Sequence, residues 1–237
     1  MRSENELKFF AMKRSLRLAF RRMAAPNLKG RVADLGAGSG PYQQEAPHCT
    51  FIGLDWAPTP GARVVGSTLH LPFKGESFDG VILTETLEHV SDPLLALREA
   101  ARVLKPGGTL YLTAPQMWPL HYEPHDYFRF TGYGLGSLLA KAGLKEVAQE
   151  PVAGFFTFCF TRVGEKMVKL FVGLLGWLPR PRRWQVAGVL TLPFLYLGYG
   201  LGKLLDRLAP KDVLGWAFLA QKPSKPEEPK APEARTA

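Results

Sequence analysis

Seven short apolar runs along the chain have the length of buried strands. These runs cover residues 32–36, 50–56, 63–66, 78–85, 109–115, 144–150 and 212–222. Helical stretches lie between several of them, so strands and helices alternate across residues 31–160. Such alternation is typical of an α/β fold with a mostly parallel, doubly wound sheet and helices on both faces. We therefore predict one α/β core at 31–160, completed by a last strand at 212–222.

Capping and breaking residues mark the clearest helix of this core. Ser91 and Asp92 can cap a helix that Pro93 opens, because a side-chain oxygen accepts hydrogen bonds from the first turn. The Lys-Pro-Gly-Gly turn at 105–108 stops this helix. A further helix is predicted at 134–142.

The segments that flank the core have a different pattern. Residues 1–30 are basic, and the absence of Gly and Pro from 5–23 predicts an N-terminal helix. The pattern of residues 161–211 predicts an apolar, basic helical insertion before the last strand. Within this insertion, residues 184–202 carry no charge. The tail at 223–237 is rich in Pro, Lys, Glu and Ala and is predicted to be disordered.

The composition excludes several classes of protein. Of 237 residues, 46% are apolar and 22% charged, which excludes a wholly disordered chain and a polytopic membrane protein. The two cysteines, Cys49 and Cys159, exclude a disulfide scaffold and a zinc site built mainly from thiolates. The region up to Arg22 is charged and lacks the apolar run of a secretory signal, so we expect a cytoplasmic location.

The net charge of +9 is unevenly distributed. Residues 1–30 carry +6 and residues 161–211 carry +7, whereas residues 31–160 carry −4. Basic flanks indicate a polyanionic partner, either nucleic acid or an anionic membrane surface. The basic segments are as rich in Leu, Val and Gly as in cations and hold no known reader motif, so nucleic acid is disfavoured.

The uncharged run at 184–202 has nearly the length of a membrane span. Pro193 and several glycines interrupt it, and cations stand at both of its ends, so there is no positive-inside asymmetry. We expect this segment to lie on the inner face of an anionic membrane, or to dip in and return, rather than to cross it. A helical lid on the core and a contact in a homodimer are the alternatives.

The strongest local motif is a glycine loop after the first strand. That strand ends at Asp34, and Gly36, Gly38 and Gly40 follow in a GxGxG pattern. In an open parallel sheet this loop lies at the carboxyl ends of the strands, where ligands bind. Pro41 occupies the place of the third glycine of the dinucleotide fingerprint, so that interpretation fits badly. An acid before the glycines repels a phosphate but suits a cationic ligand.

A second acid follows at the spacing expected for a ribose contact. Asp55 comes nineteen residues after Gly36, at the end of the second strand. A carboxylate there can accept hydrogen bonds from both hydroxyls of a ribose. Trp56 beside it can stack on an adenine. The combination favours a nucleoside-containing ligand over a glycine turn that serves packing alone.

Residues 30–150 resemble a class I S-adenosylmethionine-dependent methyltransferase of the type 11 group, which is related to quinone-biosynthesis methyltransferases. The stretches that carry the resemblance are VADLGAGSG, TFIGLDW, LPFKGESFDGVILTETLEHVSDP, REAARVLKPGGTLYLTAP and PHDYFRFTGYGLGSLLAKAGL. It implies a Rossmann-like methyltransferase fold with S-adenosyl-L-methionine as cofactor. It does not identify the methyl acceptor.

The resemblance also implies the cofactor contacts. They fall on Asp34, Gly36, Ala37, Gly38, Gly40, Asp55, Trp56, Ser67, Thr68, Leu69, Thr84 and Glu85. Asp34 and the glycine loop would face the methionine end, Asp55 the ribose and Trp56 the adenine. The family usually has an acid after the third strand; here Ser67 and Thr68 stand there, and a hydroxyl or nearby backbone would replace it.

A polar cluster after the fifth strand gives the candidate catalytic residues. They are His121, His125, Asp126, Tyr127 and Arg129, which lie within nine residues on the ligand side of the sheet. An aspartate near a histidine can orient an imidazole as a general base. Related methyltransferases carry similar strings, in which the arginine and aspartate tie the loop down. The sequence leaves both interpretations open.

His89 lies in the LEHV stretch and is interpreted as a structural histidine that caps the next helix rather than as a catalytic residue. The five histidines show no HxxxH or Cys/His ligand spacing, so no metal site is predicted.

The functional prediction is in-line methyl transfer to a small acceptor that is apolar or carried in a membrane. The apolar insertion alone supports this choice of acceptor. An alternative is a catalytically inactive cofactor-binding module that serves as a membrane-associated interaction partner. A third hypothesis is methylation of RNA or protein, in which the basic flanking segments would bind the substrate. It predicts a steep salt dependence of binding.

Overall fold

The computed structural model describes residues 10–224, so the first nine residues and most of the predicted tail lie outside the described part. Seven strands form one sheet in the order β3-β2-β1-β4-β5-β7-β6. They are β1 (Arg31–Leu35), β2 (Thr50–Asp55), β3 (Val64–Val65), β4 (Phe78–Thr84), β5 (Leu104–Pro115), β6 (Lys145–Gly154) and β7 (Val213–Gln221). β7 runs antiparallel to β5 and β6, and the remaining pairs are parallel. The predicted doubly wound, mostly parallel sheet is confirmed.

Five helices accompany the sheet in the described part of the chain. They are α1 (Phe10–Ala19), α2 (Pro93–Val103), α3 (Gly132–Lys141), α4 (Phe155–Leu174) and α5 (Arg180–Leu205). A π-helical turn at Phe20–Ala24 continues α1, and short 3-10 turns lie at Leu87–His89 and Asp206–Leu208. The helix predicted at 5–23 is described from residue 10 onward, and that part is helical.

The sheet is buried on both faces because its central strands are apolar at nearly every position. On one face, Phe20 from the turn after α1 packs with Ile82 and Tyr111, and its ring meets that of Tyr111 edge-on at 5.4 Å. On the other face, Leu97 of α2 and Leu135 of α3 pack over the sheet. Burying each large side chain contributes about 1.5–3 kcal/mol. The two layers hold the carboxyl ends of β1, β2 and β4 in fixed positions.

Two strand boundaries differ from the prediction. β5 begins at Leu104 rather than residue 109, because the Lys-Pro-Gly-Gly turn stays beside β4, with a register shift between Phe78 and Gly80. β6 runs on to Gly154 because β7 supplies hydrogen bonds to a segment whose sequence is mostly polar. Long-range pairing therefore extends both strands beyond their apolar runs.

Helices α4 and α5 form an antiparallel hairpin between β6 and β7. Gly164 lies against Leu195, and Gly202 lies against the backbone of Thr157. A Cβ on Gly202 would approach Thr157 Cα to 2.7 Å, and this backbone atom cannot move aside, so the close approach of the helices requires glycine there. The predicted insertion at 161–211 starts within α4, since the helix begins directly after β6.

Asp206 fixes the base of the hairpin. Its carboxylate accepts hydrogen bonds from Gly154 N at 3.0 Å, Thr157 N at 3.0 Å and Thr157 Oγ1 at 2.6 Å. The end of α5 thus caps the start of α4, which has no cap of its own.

Removing this cap should destabilise the protein. We expect Asp206→Ala to lower the free energy of unfolding by about 1–2 kcal/mol, the usual cost of losing a helix cap. Urea unfolding followed by circular dichroism measures it. The exposed Asp212→Ala is the control. Equal stability of the two variants would contradict the capping role.

Candidate functional site

The glycine loop adopts a backbone that ordinary residues avoid. Gly36, Gly38 and Gly40 have φ values of +80°, +50° and +64°. Gly36 N and Ala37 N both donate to Leu54 O, at 2.8 and 3.1 Å, which ties the loop to the end of β2. A Cβ on Gly36 would stand 2.3 Å from Thr86 Oγ1, so a side chain is excluded by sterics and by conformation.

Asp55 faces this loop from the end of β2. Its Oδ2 accepts a hydrogen bond from Gly38 N at 2.9 Å and its Oδ1 accepts one from Ala57 N at 3.4 Å. A carboxylate has about four lone-pair positions, so Asp55 keeps capacity for ligand hydroxyls. Trp56 is 77% exposed, and its ring lies 5.9 Å from that of His125, which brings the second strand and the 121–131 loop together.

Asp34 is buried at 1% exposure, and its Oδ2 has no hydrogen-bond partner among the described residues. Burial, and secondly the charge of Asp55, raise the pKa of Asp34 to about 7. A buried carboxylate without a partner is costly, and a positively charged ligand nearby would stabilise its ionised form. This unpartnered acid fits a cationic ligand group, as the sequence suggested.

The segment after β3 also lies at this edge. Gly66 N donates to Asp55 O at 2.8 Å, and Ser67 Oγ accepts from Leu69 N at 3.1 Å. Ser67, Thr68 and Leu69 therefore lie beside the end of β2, with hydroxyls and backbone where an acid was expected from the resemblance.

Thr84 ends β4, and Glu85 follows it with a φ of +50°. Glu85 N donates to Thr113 O and Thr113 Oγ1, both at 3.1 Å. Burial raises the pKa of Glu85 to about 7, and its Oε2 is buried without a partner among the described residues.

Glu88 is a buried acid that the sequence reasoning missed. Its exposure is 0%, and neither carboxylate oxygen has a hydrogen-bond partner in the described part of the chain. Burial, followed by the charge of Glu85, raises the pKa of Glu88 well above its ordinary value. A signal was present in the sequence, since an acid in the apolar LEHV turn is unusual.

The 121–131 loop is held by an ion pair. Arg129 donates to Asp126 Oδ1 and Oδ2, both at 2.7 Å, and to the carbonyls of Trp118 at 2.8 Å and Pro119 at 3.1 Å. Asp126 Oδ2 also accepts from His121 N at 2.9 Å. These bonds, chiefly those from Arg129, lower the pKa of Asp126 below its ordinary range. The geometry favours the interpretation in which arginine and aspartate tie the loop down.

The histidines divide between support and exposure. His89 Nδ1 lies 2.6 Å from the carbonyl oxygen of His125 and so supports the loop. His89 was expected to cap α2, but it does not. Asp92 caps this helix, since its Oδ1 accepts a hydrogen bond from Leu95 N at 2.9 Å. His125 Nδ1 lies 3.0 Å from Tyr127 Oη at the outer side of the loop.

The fold also places potential metal ligands together. Glu88, His89 and His121 each offer a ligand atom within 4.8 Å of the others. No metal-ligand spacing was visible along the chain, because His121 lies far from the LEHV turn in sequence and approaches it only through the fold of the loop.

The sheet order and the glycine loop followed by a strand-end acid define the class I S-adenosylmethionine-dependent methyltransferase fold. Residues 33–112 match the family model described as Methyltransferase domain. A demethylmenaquinone methyltransferase of Roseiflexus castenholzii is 35% identical over 144 residues, which are 53% of this chain and 60% of that protein. Residues 33–112 are therefore similar to a methyltransferase domain, and the chain resembles S-adenosylmethionine-dependent methyltransferases of the group related to quinone methyltransferases.

Solved structures show the same fold. The cyclase SpnF matches with a TM-score of 0.59 and 18% identity, over 90% of this chain and 81% of SpnF. Phosphoethanolamine N-methyltransferase 2 of Haemonchus contortus, in complex with S-adenosyl-L-methionine, matches with a TM-score of 0.59 and 17% identity, over 89% of this chain and 52% of that one. At such identities the likeness concerns the fold alone.

The raised pKa of Asp34 has a consequence for stability. The folded protein retains this proton up to about pH 7, whereas the unfolded chain releases it near pH 4, so stability is lost as pH rises between them. We expect Asp34→Asn to abolish the part of the pH-dependent loss of stability that comes from ionisation of Asp34. Urea unfolding at about pH 5 and about pH 7.5 should therefore show a smaller decline for Asp34→Asn than for the wild type. The exposed Asp212→Asn should follow the wild type. Parallel curves for all three proteins would contradict the assignment.

Proposed function

We propose that this protein is an active methyltransferase that transfers a methyl group from S-adenosylmethionine to a small apolar acceptor at a membrane surface. The observation that carries the catalytic part is the unpartnered, buried Asp34 beside the left-handed glycine loop and Asp55. When bound, the cofactor supplies a methyl group on a sulfonium, which is an activated donor.

The chain's own residues would bind and orient this cofactor. Asp34 and the loop at 36–40 would lie toward its positive charge, and the free lone pairs of Asp55 would accept from the ribose hydroxyls. Trp56 would flank the adenine, with the 67–69 segment at its edge. Thr84 and Glu85 would close the far side. Methyl transfer then requires mainly alignment and exclusion of water.

The 121–131 loop would shape the acceptor side. Asp126 and Arg129 hold its backbone, while His121, His125 and Tyr127 carry groups that could receive a proton from an acceptor. His121 Nδ1 lies 3.3 Å from Asp126 Oδ2, which could orient the imidazole as a general base.

The ribose assignment is tested by titrating the protein with S-adenosylhomocysteine in a calorimeter. We expect the wild type to bind in the micromolar range and Asp55→Ala to bind at least about tenfold more weakly, because a charge-assisted hydrogen bond contributes about 1.5–3 kcal/mol. Asp92→Asn is the control and should bind as the wild type does. Unchanged affinity in Asp55→Ala would refute the ribose contact, and no binding by the folded wild type would refute the function.

The membrane part of the proposal rests on the polarity of the hairpin. The contact face between α4 and α5 includes small and hydroxyl residues: Thr157, Thr161, Gly164, Ala187, Thr191 and Gly202. The outward face carries large apolar side chains: Val163, Leu170, Leu174, Trp177, Val189, Phe194, Leu197, Leu201 and Leu204. Helices that pack through small residues and turn apolar side chains outward suit a lipid environment.

Charge and hydropathy agree with this reading. In the described part of the chain one helical segment, Arg182–Leu208, is long and apolar enough to cross a membrane, and less than a third of its apolar part is buried. It comprises most of α5 and the 3-10 turn that follows. Exposed cations on the hairpin include Lys166, Lys169 and Arg182. Cations beside exposed apolar and aromatic residues suit the anionic, cytoplasmic face of a bilayer, on which the hairpin would lie. An apolar acceptor could then be taken from the lipid.

A triple variant tests the membrane part. Phe194, Leu197 and Leu201 are exposed at helical spacing on α5, so they share one face. We expect their replacement by serine to weaken binding to phosphatidylglycerol-containing vesicles at least about tenfold, since insertion of each side chain contributes on the order of 1 kcal/mol. Val65→Ser with Val147→Ser, two exposed positions on the sheet, is the matched control. Equal flotation of both variants and wild type would favour a lid or a dimer contact.

A second candidate comes from the alternative class. Because the cyclase SpnF shares this fold, the fold does not dictate methyl transfer. An inactive cofactor-binding module would bind S-adenosylhomocysteine yet transfer no methyl group to any component of membrane or cell extracts.

A further inference from the structure

The carboxylate of Glu88 is buried without a counterion in the described part of the chain, and the methyltransferase reaction does not explain this. Both of its oxygens are without a hydrogen-bond partner in the described residues, and Glu85 adds a third unpartnered carboxylate oxygen nearby. The guanidinium of Arg129, whose charge acts on Glu88, donates two hydrogen bonds of 2.7 Å to Asp126 instead. A buried carboxylate pair with this environment favours the arrival of a cation.

Two imidazoles beside Glu88 are oriented as metal ligands are. His89 Nδ1 lies 2.6 Å from the carbonyl oxygen of His125, and because a carbonyl only accepts, Nδ1 carries the proton. His121 Nδ1 lies 3.2 Å from Pro119 O and 3.3 Å from Asp126 Oδ2, which fixes the same tautomer. The lone pair of each ring is therefore on Nε2. Carbonyl and carboxylate partners on the far nitrogen are the usual support of metal-binding histidines.

The distances fit a three-ligand site that closes slightly on binding. His89 Nε2 lies 3.8 Å from Glu88 Oε1, and the rings of His89 and His121 meet at 4.7 Å between centroids. The ligand atoms of all three residues lie within 4.8 Å of one another. Tetrahedral zinc with ligands at about 2.0–2.1 Å holds them about 3.4 Å apart, so the side chains need to approach by roughly 1 Å.

We propose that Glu88, His89 and His121 form a binding site for a borderline divalent cation such as Zn²⁺. Two imidazoles and one carboxylate are a ligand set that such ions take, and three protein ligands leave a fourth position open. The site adjoins the loop that we assign to the acceptor. Resting on the proposed function, an ion there would lower the pKa of an acceptor hydroxyl and so select acceptors that carry one. With the ion bound, His121 is a ligand and not the general base, so the hydroxyl proton would pass to His125 or to solvent.

Zinc retention by the full chain tests this site. The protein is freed of metal with a chelator, mixed with Zn²⁺ and desalted, and bound zinc is measured by mass spectrometry and by competition with a chromogenic chelator. We expect one ion per chain and a loss of affinity of at least about tenfold in His121→Ala, since three ligands become two. His48→Ala, which removes an exposed histidine outside the cluster, is the matched control and should retain the ion.

A second measurement covers variants that fold poorly. Co²⁺ should give visible absorption bands of a low-coordinate nitrogen and oxygen site in the wild type and in His48→Ala, but not in Glu88→Gln or His121→Ala whose circular dichroism is native. The proposal is overturned if the wild type does not retain zinc. It is also overturned if all variants retain zinc equally, which would indicate an adventitious ion only. Titration of the same samples with S-adenosylhomocysteine separates the outcomes, because failure of that binding refutes the methyltransferase proposal and leaves the metal result standing.

Discussion

Burial of acidic side chains at the carboxyl edge of the sheet is the constraint on which the rest of this structure depends. Asp34 is enclosed there at 1% exposure, with the carboxylate of Asp55 near enough to raise its pKa. Holding such groups out of water requires a rigid support, and the two packed faces of the central strands supply it. The glycine loop follows from the same constraint, because only a left-handed backbone passes Thr86 and reaches Asp55. Ligand binding would relieve the charge that folding has buried.

A second group of acids lies across the same edge and is organised by a loop rather than by strands. Arg129 joins Asp126 to the carbonyls that begin the loop, so that His121 comes to lie beside the LEHV turn. Glu88 is buried next to His89, and neither oxygen of its carboxylate has a hydrogen-bond partner in the described residues. Asp126 and Arg129 thus fix the shape of this loop and the position of His121.

The hairpin buries a small apolar cluster, Val168, Leu195 and Tyr199, but leaves many other large apolar side chains exposed. Gly164 and Gly202 allow α4 and α5 to approach closely. Thr161 Oγ1 and Thr191 Oγ1 on the contact face donate to carbonyls of their own helices, both at 2.7 Å. Large apolar side chains therefore remain on the outside. Asp206 anchors this hairpin to the end of β6, so whatever surface the hairpin contacts is held at a fixed place relative to the sheet.

The strands, the glycine loop and the strand-end acid could be predicted from the residues alone, because hydrophobic period, turn chemistry and caps are local properties of the chain. Asp92 as a cap and Gly36 as a left-handed residue could be read directly. The extension of β6 to Gly154 depended on β7, a partner distant in sequence. Likewise, only the tertiary structure brought His121 to Glu88 and His89 and left the carboxylate unpartnered, because burial and contact are set by how the loop packs against the sheet and not by spacing along the chain.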